Sequence, residues 1–323
     1  MSTQASILSR LKNRIGQWVS GEELSAGLSI SRSAVWKHIR GLREADYVID
    51  SLPRKGYRLR RASEHLLPDE IRDRLHTRVM GRGGIHTFPL ADSTNTLAKD
   101  LADHGALEGT IVLAETQTGG RGRKGRSWFS PEREGIYLSL ILRPDISPFE
   151  VQGITLLSAV ALTDSLGRRT SLKAAIKWPN DVFVGSRKIA GILTETSSEM
   201  DITNYVVVGL GVNVNTRRFP EPLDRSATSL FLETGRHFSR VELLRDFLEE
   251  FETLYLSAQS RGFAGVFDRW RSLTNTIGRR VRITMHQGSR SGIVRDIDTD
   301  GALMITDDQG RTSRILSGDL SFE

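Results

Sequence analysis

The segment Gly119-Gly120-Arg121-Gly122-Arg123-Lys124-Gly125-Arg126-Ser127-Trp128 interleaves four glycines with four cations and closes on an aromatic residue. Glycine lets the backbone approach a ligand closely and leaves its N–H groups free to donate. Arginine offers a fork of donors that matches carboxylate and phosphate oxygens. Such a loop is suited to bind an anion and to stay mobile until one arrives. Taken alone, the same residues serve an RGG-like RNA contact or a flexible surface loop equally well. A second segment reads Lys177-Trp178-Pro179-Asn180-Asp181 and is followed by Arg187-Lys188-Ile189-Ala190-Gly191-Ile192-Leu193. A lysine beside an apolar strand is able to hold a carboxylate against an α-phosphate, lowering the barrier by positioning and charge neutralisation without a covalent enzyme intermediate. Taken singly, Lys188 also suits a solvated turn. Asp181 next to Asn180 suits either a turn pair or a contact to nucleotide-bound Mg2+. The chain has no cysteine, which excludes a thiolate nucleophile, a disulfide framework and a Cys-based zinc site. His38, His65, His76, His86, His104, His237 and His286 are scattered with no i, i+4 pair, so no catalytic or metal role is expected of them.

The elements around these segments read as an α+β domain. Strands are expected at Gly109–Ala114, Ile136–Leu142, Lys173–Lys177, Asp181–Val184, Ile189–Glu195 and Tyr205–Val212, with Gly185-Ser186-Arg187 as a hairpin turn. Val151–Leu166 reads as a helix that is apolar around most of its surface and Val241–Leu256 as an amphipathic one; Phe267 and Trp270, at i, i+3, read as core. Together these form a mixed sheet covered by helices, spanning residues 66–275. Residues 276–323 show short strands at Val281–Met285, Gly292–Ile297, Ala302–Thr306 and Thr312–Leu316, separated by Gly-containing turns, which points to a small SH3-like β-barrel.

Residues 1–65 differ in character. Ile7, Leu8, Leu11, Ile15 and Trp18 suit one amphipathic helix over 6–19, Leu24 and Leu28 the buried side of a second, and Ser31 caps a third over Arg32–Ala45. There Val35, Ile39 and Leu42 face inward, leaving Arg32, Ser33, Trp36, Lys37 and Arg40 outward. Two short strands follow, joined through Pro53-Arg54-Lys55-Gly56. Residues 1–66 hold 12 Lys/Arg against 6 Asp/Glu while the rest of the chain holds 33 of each, so the net charge of +6 lies entirely in this segment. Three helices, a basic hairpin and a concentrated positive charge read as a winged helix-turn-helix, with Arg32, Ser33, Lys37, Arg40, Arg54 and Lys55 as the DNA-contacting candidates. A solvated basic face, or a helical protein-interaction module, is the alternative. The longest apolar runs, such as Val206–Leu210, are too short to span a bilayer and the N-terminus lacks a signal-peptide pattern, so a cytoplasmic location with no membrane partner is expected.

Taken together, Ser93-Thr94-Asn95, Gln117, the Gly-Arg-Gly-Arg-Lys-Gly-Arg-Ser-Trp loop, Lys-Trp-Pro-Asn-Asp and Lys-Ile-Ala-Gly-Ile-Leu occur in the order and spacing of the biotin–protein ligases. With the winged helix, essentially the whole chain resembles the bifunctional ligases that also repress the biotin operon. The resemblance implies a class II synthetase-like central sheet and ATP-dependent formation of biotinyl-5′-AMP, with Mg2+. It also implies transfer of biotin to a lysine of the biotin carboxyl carrier protein of acetyl-CoA carboxylase. For the repressor half it implies operator DNA as partner and a homodimer promoted by biotinyl-5′-AMP as corepressor.

Residue by residue, the resemblance implies that Ser93, Thr94 and Gln117, with Asn95 beside them, hold the ureido head of biotin. Trp128, Gly191, Leu193, Gly209 and Val212 line the apolar walls. Arg121, Gly122 and Arg123 close over the valeryl carboxylate and the adenylate, with Lys188 beside the carboxylate and α-phosphate; Lys188, Arg121 and Arg123 form the catalytic set. Asn180 and Asn213 face the nucleotide, with Lys177 and Asp181 near the phosphates or Mg2+; no protein-only metal site is implied. The segment Val214–Thr228 departs from the family pattern, having no tryptophan and two prolines, with Phe219 as its aromatic residue. A lipoate–protein ligase and a non-catalytic biotin sensor are the competing readings. The first fits the glycine–arginine loop and Lys-Trp-Pro-Asn-Asp poorly, and the second would lack a complete catalytic set.

Overall fold

Ser20 and Ser31 each accept a hydrogen bond from the backbone N–H three residues on, of Glu23 and Ala34 at 3.0 and 3.1 Å, and so start the second and third helices of the N-terminal unit. The computed structural model describes residues 3–199, 202–286 and 288–323. The chain divides into two compact units, residues 1–74 and 75–323. The first contains α1 (Thr3–Lys12), α2 (Gly21–Leu28), α3 (Arg32–Glu44), the antiparallel hairpin β1 (Val48–Leu52) and β2 (Gly56–Arg61), and α4 (Pro68–Arg72). Its core joins Ile7, Leu8 and Leu11 to Leu24, Val35, Ile39, Leu42, Tyr47, Ile49 and Leu59.

The first helix stops at Lys12 rather than running to residue 19. Gly16 sits at φ +81 and donates to the carbonyl of Leu59, and Val19 then pairs with Tyr57, so the chain turns extended to bridge the hairpin. Ile15 is left 55% exposed. The unit also extends to Arg74, beyond the boundary expected at 65. The carboxylate of Glu70, buried on α4, accepts from Lys12 Nζ at 2.7 Å and from the Tyr47 hydroxyl, while Lys12 also reaches Asp73 at 3.1 Å. Burial and this carboxylate push the Tyr47 hydroxyl far above its ordinary range. Because a half-broken buried ion pair leaves its partners unsatisfied, Glu70→Ala is expected to lower the opening free energy of residues 3–61 by about 2 kcal/mol. Amide exchange on the full chain measures this; unchanged protection would refute it.

The second unit runs β3 (Ile85–Phe88), α5 (Thr94–Asp103), β4 (Ile111–Ala114), β5 (Gly135–Leu142), α6 (Val151–Arg169), β6 (Ala174–Lys177), β7 (Asp181–Val184), β8 (Arg187–Glu199), β9 (Ile202–Asn213), α7 (Leu230–Thr234), α8 (Arg240–Arg261) and α9 (Ala264–Leu273). A last group of strands follows: β10 (Arg280–Met285), β11 (Gly288–Ile297), β12 (Leu303–Thr306), β13 (Thr312–Ile315) and β14 (Asp319–Phe322). Seven strands form one sheet in the order β3-β4-β5-β9-β8-β7-β6, antiparallel except for β3 with β4. The central β5 is buried along its whole length, hence its unbroken apolar run. Helix α6 is buried from Gly153 through Thr163 because α8 and α9 cover one side and the sheet the other, which leaves it no polar face. On the opposite side α5 packs Ala98 and Ala102 against Val112, Ile141 and Val207.

The last five strands form an antiparallel sheet in the order β13-β12-β11-β10-β14. Among the described residues no pairing joins β13 to β14, so the expected closed barrel is an open sheet here. No helix among the described residues is long and apolar enough to cross a membrane.

Candidate active site

The central strands open a cavity of about 480 Å3 between α5, the glycine–arginine loop, the β6–β8 strands and the loop after β9. Its inner end is polar. Gln117 Oε1 accepts from the Thr94 N–H at 2.9 Å and the Thr94 hydroxyl at 3.1 Å, and Gln117 Nε2 donates to Ser130 Oγ at 3.0 Å. Ser139 Oγ reaches Thr94 Oγ1 at 2.9 Å and Asn95 Oδ1 at 2.6 Å. Asn95 Nδ2 in turn donates to the carbonyl of Leu193 at 3.2 Å and to Glu195 at 2.8 Å. Ser93 stands at the start of α5, 2% exposed, its carbonyl accepting from the Leu97 N–H at 3.1 Å while its side chain makes no cap bond to the helix. These side chains fix one another, so the notch is pre-organised for a small planar polar head rather than assembled on binding.

The neck of the cavity owes its width to glycines. A Cβ on Gly209 would enter the Asn95 carboxamide, and one on Gly211 would enter the Trp128 indole; one on Gly191 would lie 3.1 Å from both Trp128 and Lys188. Trp128 therefore lies flat against the backbone of β8 and β9, forming an apolar wall with Leu193. Gly211→Ala is expected to displace that ring and, since overpacking costs about 1–3 kcal/mol, to weaken roughly 30-fold, with the fold retained, the binding of the biotin that the sequence resemblance implies. Calorimetric titration decides it; unaltered affinity would show that the indole is no part of the wall.

The outer end is cationic. Arg123, Arg126 and Lys177 line it against the carboxylates of Asp181 and Asp319. The glycine–arginine loop, expected to be mobile, is a small hairpin here: Gly122 N–H donates to Arg126 O at 2.6 Å, Trp128 N–H to Gly120 O at 2.8 Å, and Arg121 bridges to Ser127. Lys124 and Gly125 form its tip at φ +56 and +73. The tip is tied to β14 and its approach. Asp319 pairs with Lys124 at 3.2 Å and Arg126 at 2.5 Å, and Arg123 Nη1 donates to Asn180 Oδ1 at 3.2 Å and to Gly318 O at 3.4 Å. Burial lowers the affinity of the Arg123 guanidinium for its proton, an effect opposed by Asp319 and Asp181. Arg121 points to the polar end instead, meeting Thr96 at 3.2 Å and Glu195 at 3.3 Å.

Lys188 lies between the two ends. Its Nζ is 2.6 Å from Asp181 Oδ1 and 5.3 Å from the centroid of Trp128. Its backbone is clamped from the far side, where Lys188 N–H donates to Ser226 O and Thr228 N–H to Lys188 O, both at 2.8 Å. The segment following β9 thus anchors the lysine, and Asn213 Nδ2, bonded to Thr228 O at 3.0 Å, pins its end. The same segment brings Phe219 to the cavity rim, its ring 6.0 Å from Phe129 and tilted by 60°. Lys177 lies over Phe183 and Phe322 at 5.1 and 5.5 Å; burial depresses its pKa, Asp181 opposes this, and Lys188 adds to it.

The structure brings together Ser93, Thr94, Asn95, Gln117, Arg121, Gly122, Arg123, Trp128, Lys177, Asn180, Asp181, Lys188, Gly191, Leu193, Gly209 and Asn213 on one cavity. Val212 is fully buried and does not line it: strand alternation puts Gly209, Gly211 and Asn213 on the cavity side and Val212 on the other. Sequence reasoning missed Gly211, Phe129, Phe183 and Asp319. The Gly209-x-Gly211 spacing signals a flat strand face able to receive an aromatic ring, whereas no local signal marks Asp319, whose neighbour Gly318 is 195 residues from its loop partner Arg123. Among the described residues no three His, Cys, Asp or Glu side chains cluster to hold a metal.

A polar notch, an apolar neck and a cationic mouth suit a site for joining an acid to another group, and the same chain carries a separate helical unit with a basic hairpin. The biotin/lipoate A/B protein ligase family matches residues 87–213, an HTH domain residues 3–58, and the biotin protein ligase C-terminal domain residues 276–322. The chain is 39% identical over 306 residues to the bifunctional ligase/repressor BirA of Bacillus subtilis, covering 94% of each chain. It is 33% identical over 294 residues to the protein of that name in Escherichia coli, covering 91% of this chain and 89% of that one. The solved biotin protein ligase of Aquifex aeolicus in complex with biotin and ATP superposes with a TM-score of 0.65 at 29% identity, over 74% of this chain and 98% of that one. The chain belongs to the family of bifunctional biotin ligase/repressors.

Proposed function

We propose that this chain is an ATP-dependent biotin–[acetyl-CoA-carboxylase] ligase and a repressor of biotin synthesis. The observation that carries the reading is the single cavity in which Lys188 stands between a preformed polar notch and a cluster of cations. The ureido head of biotin enters the notch and its bicycle lies along Trp128, leaving the carboxylate at Lys188. ATP occupies the outer end, with Asn180 and Asn213 on the nucleotide side, Lys177 at the phosphates and Phe219 closing the rim. The carboxylate oxygen attacks the α-phosphate, giving biotinyl-5′-AMP and pyrophosphate. Lys188 and Arg123 neutralise the charge that gathers on the α-phosphate oxygens. The product is a mixed anhydride, and the hairpin over residues 119–128 keeps water from it. A lysine amine of the biotin carboxyl carrier protein then attacks the acyl carbon and AMP leaves.

The donor set fits Mg2+ only as a companion of the nucleotide. Asp181 has a buried Oδ1 paired with the Lys188 ammonium at 2.6 Å, and one carboxylate with phosphate oxygens and water is the usual company of that ion. Bound there with the phosphates, Mg2+ supplies charge neutralisation. The domain reading is a winged helix over 1–65, a class II synthetase-like catalytic domain over 66–275 and an SH3-like module over 276–323.

For the repressor half, biotinyl-5′-AMP is the corepressor and favours a homodimer through the second unit, so that two winged helices meet a two-fold operator. Arg32, Ser33, Lys37, Arg40, Arg54 and Lys55, all exposed, are the DNA contacts. The protein works in the cytoplasm. Incubation with biotin, ATP and apo-carrier protein tests the enzyme half: one biotinylated lysine is expected, lipoate in place of biotin should give none, and a non-catalytic sensor would yield no product. Truncating residues 1–64 should abolish operator binding; retained binding would defeat the repressor half.

A further inference from the structure

The outward face of α3 carries an aromatic residue at its centre. Trp36 is 53% exposed, while Val35, Ile39 and Leu42 on the same helix are at most 2% exposed. The packing of the unit does not account for the indole, because the core is closed beneath it. The Arg40 guanidinium lies 5.3 Å from the ring centroid, a cation–π contact that holds the ring from one side and leaves its remaining apolar surface open. The surroundings carry more positive than negative charge: Arg32, Lys37 and Arg40 share the face, with Glu22 paired to Arg32 at 3.0 Å and Glu44 to Arg40 at 3.5 Å, and Arg54 and Lys55 stand exposed at the hairpin tip of the same unit. An apolar protein surface is a poor match for that ring of cations. A nucleic-acid duplex matches both parts. Its phosphates suit the cations, and its major groove offers one apolar group, the C5-methyl of thymine, where the other bases present only donors and acceptors.

We propose that Trp36 is a specificity-determining residue that reads a thymine through contact between its indole and the 5-methyl group. The proposal rests on the DNA-binding reading of α3 given above, and the test separates the two. The full-length protein, with biotin and ATP, selects binding sites from a random duplex library, and a selected duplex is resynthesised with deoxyuridine replacing thymidine one position at a time. For the wild type, removing the critical methyl is expected to weaken binding roughly 4-fold. Trp36→Ala should bind the thymine duplex more weakly and lose that penalty; Trp36→Phe, which keeps an apolar ring, should retain part of it. Each penalty compares two duplexes on one protein, so partial misfolding cannot imitate its loss, and lower salt brings weak binders into range. If the wild type enriches no duplex, the DNA reading and the proposal fall together. If it enriches a site but no thymine is methyl-sensitive, or Trp36→Ala shows the same penalty, the thymine contact alone is overturned and the ring serves another partner.

Discussion

Lys188→Ala is expected to slow biotinyl-5′-AMP formation by roughly a thousandfold, about 4 kcal/mol at the transition state. Three features set that size. The Nζ faces the cavity where its two ends meet, is half-buried, and is aimed by Asp181 at 2.6 Å and the Trp128 face at 5.3 Å. Its backbone is fixed on both sides by Ser226 and Thr228, so the ammonium is presented without reorganisation. The charge it offers also matters more as negative charge gathers on the α-phosphate than in the ground state, so the loss should fall on kcat more than on the KM for biotin. Biotin-dependent pyrophosphate exchange measures the step. Lys188→Arg should not rescue it fully, because a planar fork replaces a compact ammonium. A loss of less than about threefold would return Lys188 to the role of a solvated turn residue.

The second large effect is expected at Arg123. Its guanidinium fastens the hairpin tip to Asn180 and to the carbonyl of Gly318, both lost in Arg123→Gly. Hydrogen bonds made by a charged donor contribute about 1.5–3 kcal/mol each, so retention of the adenylate should fall roughly 100-fold. The reactive adenylate then leaves before a carrier arrives and labels bystander lysines. Asp319→Asn should show the same behaviour more weakly, roughly fivefold, because it loosens only the exposed pairs to Lys124 and Arg126. A filter-binding assay of bound adenylate reads both variants. Retention unchanged in Arg123→Gly would mean that the hairpin does not shelter the intermediate.

The parts of the site that lie in contiguous motifs were legible in the sequence because local chemistry and local geometry coincide there: Arg121–Trp128 is one hairpin, and Asp181 and Lys188 sit on one strand pair with Asn180 in the turn that leads into it. Helix α5 was less legible, since its buried face is built from Thr94, Asn95, Ala98 and Ala102 and lacks a strong apolar stripe. Helix α1 was read too long because Ile15 and Trp18 continue its spacing, while the hydrogen bond of Gly16 to Leu59 and the pairing of Val19 with Tyr57 depend on residues forty positions away. Asp319 depends on tertiary contact altogether: nothing near it in sequence says that a carboxylate on the last strand will meet the hairpin. Val212 was misassigned by one step of strand alternation, which sends neighbouring side chains to opposite faces.

Crystals grown with biotin and ATP test the central claim most directly. Density for biotinyl-5′-AMP is expected in the one cavity, with its ureido group at Thr94 and Gln117, its phosphate beside Lys188 and Arg123, and residues 119–128 lying over it. Ligand bound elsewhere, with that hairpin turned to solvent above an empty cavity, would contradict the assignment of this chain's chemistry to these residues.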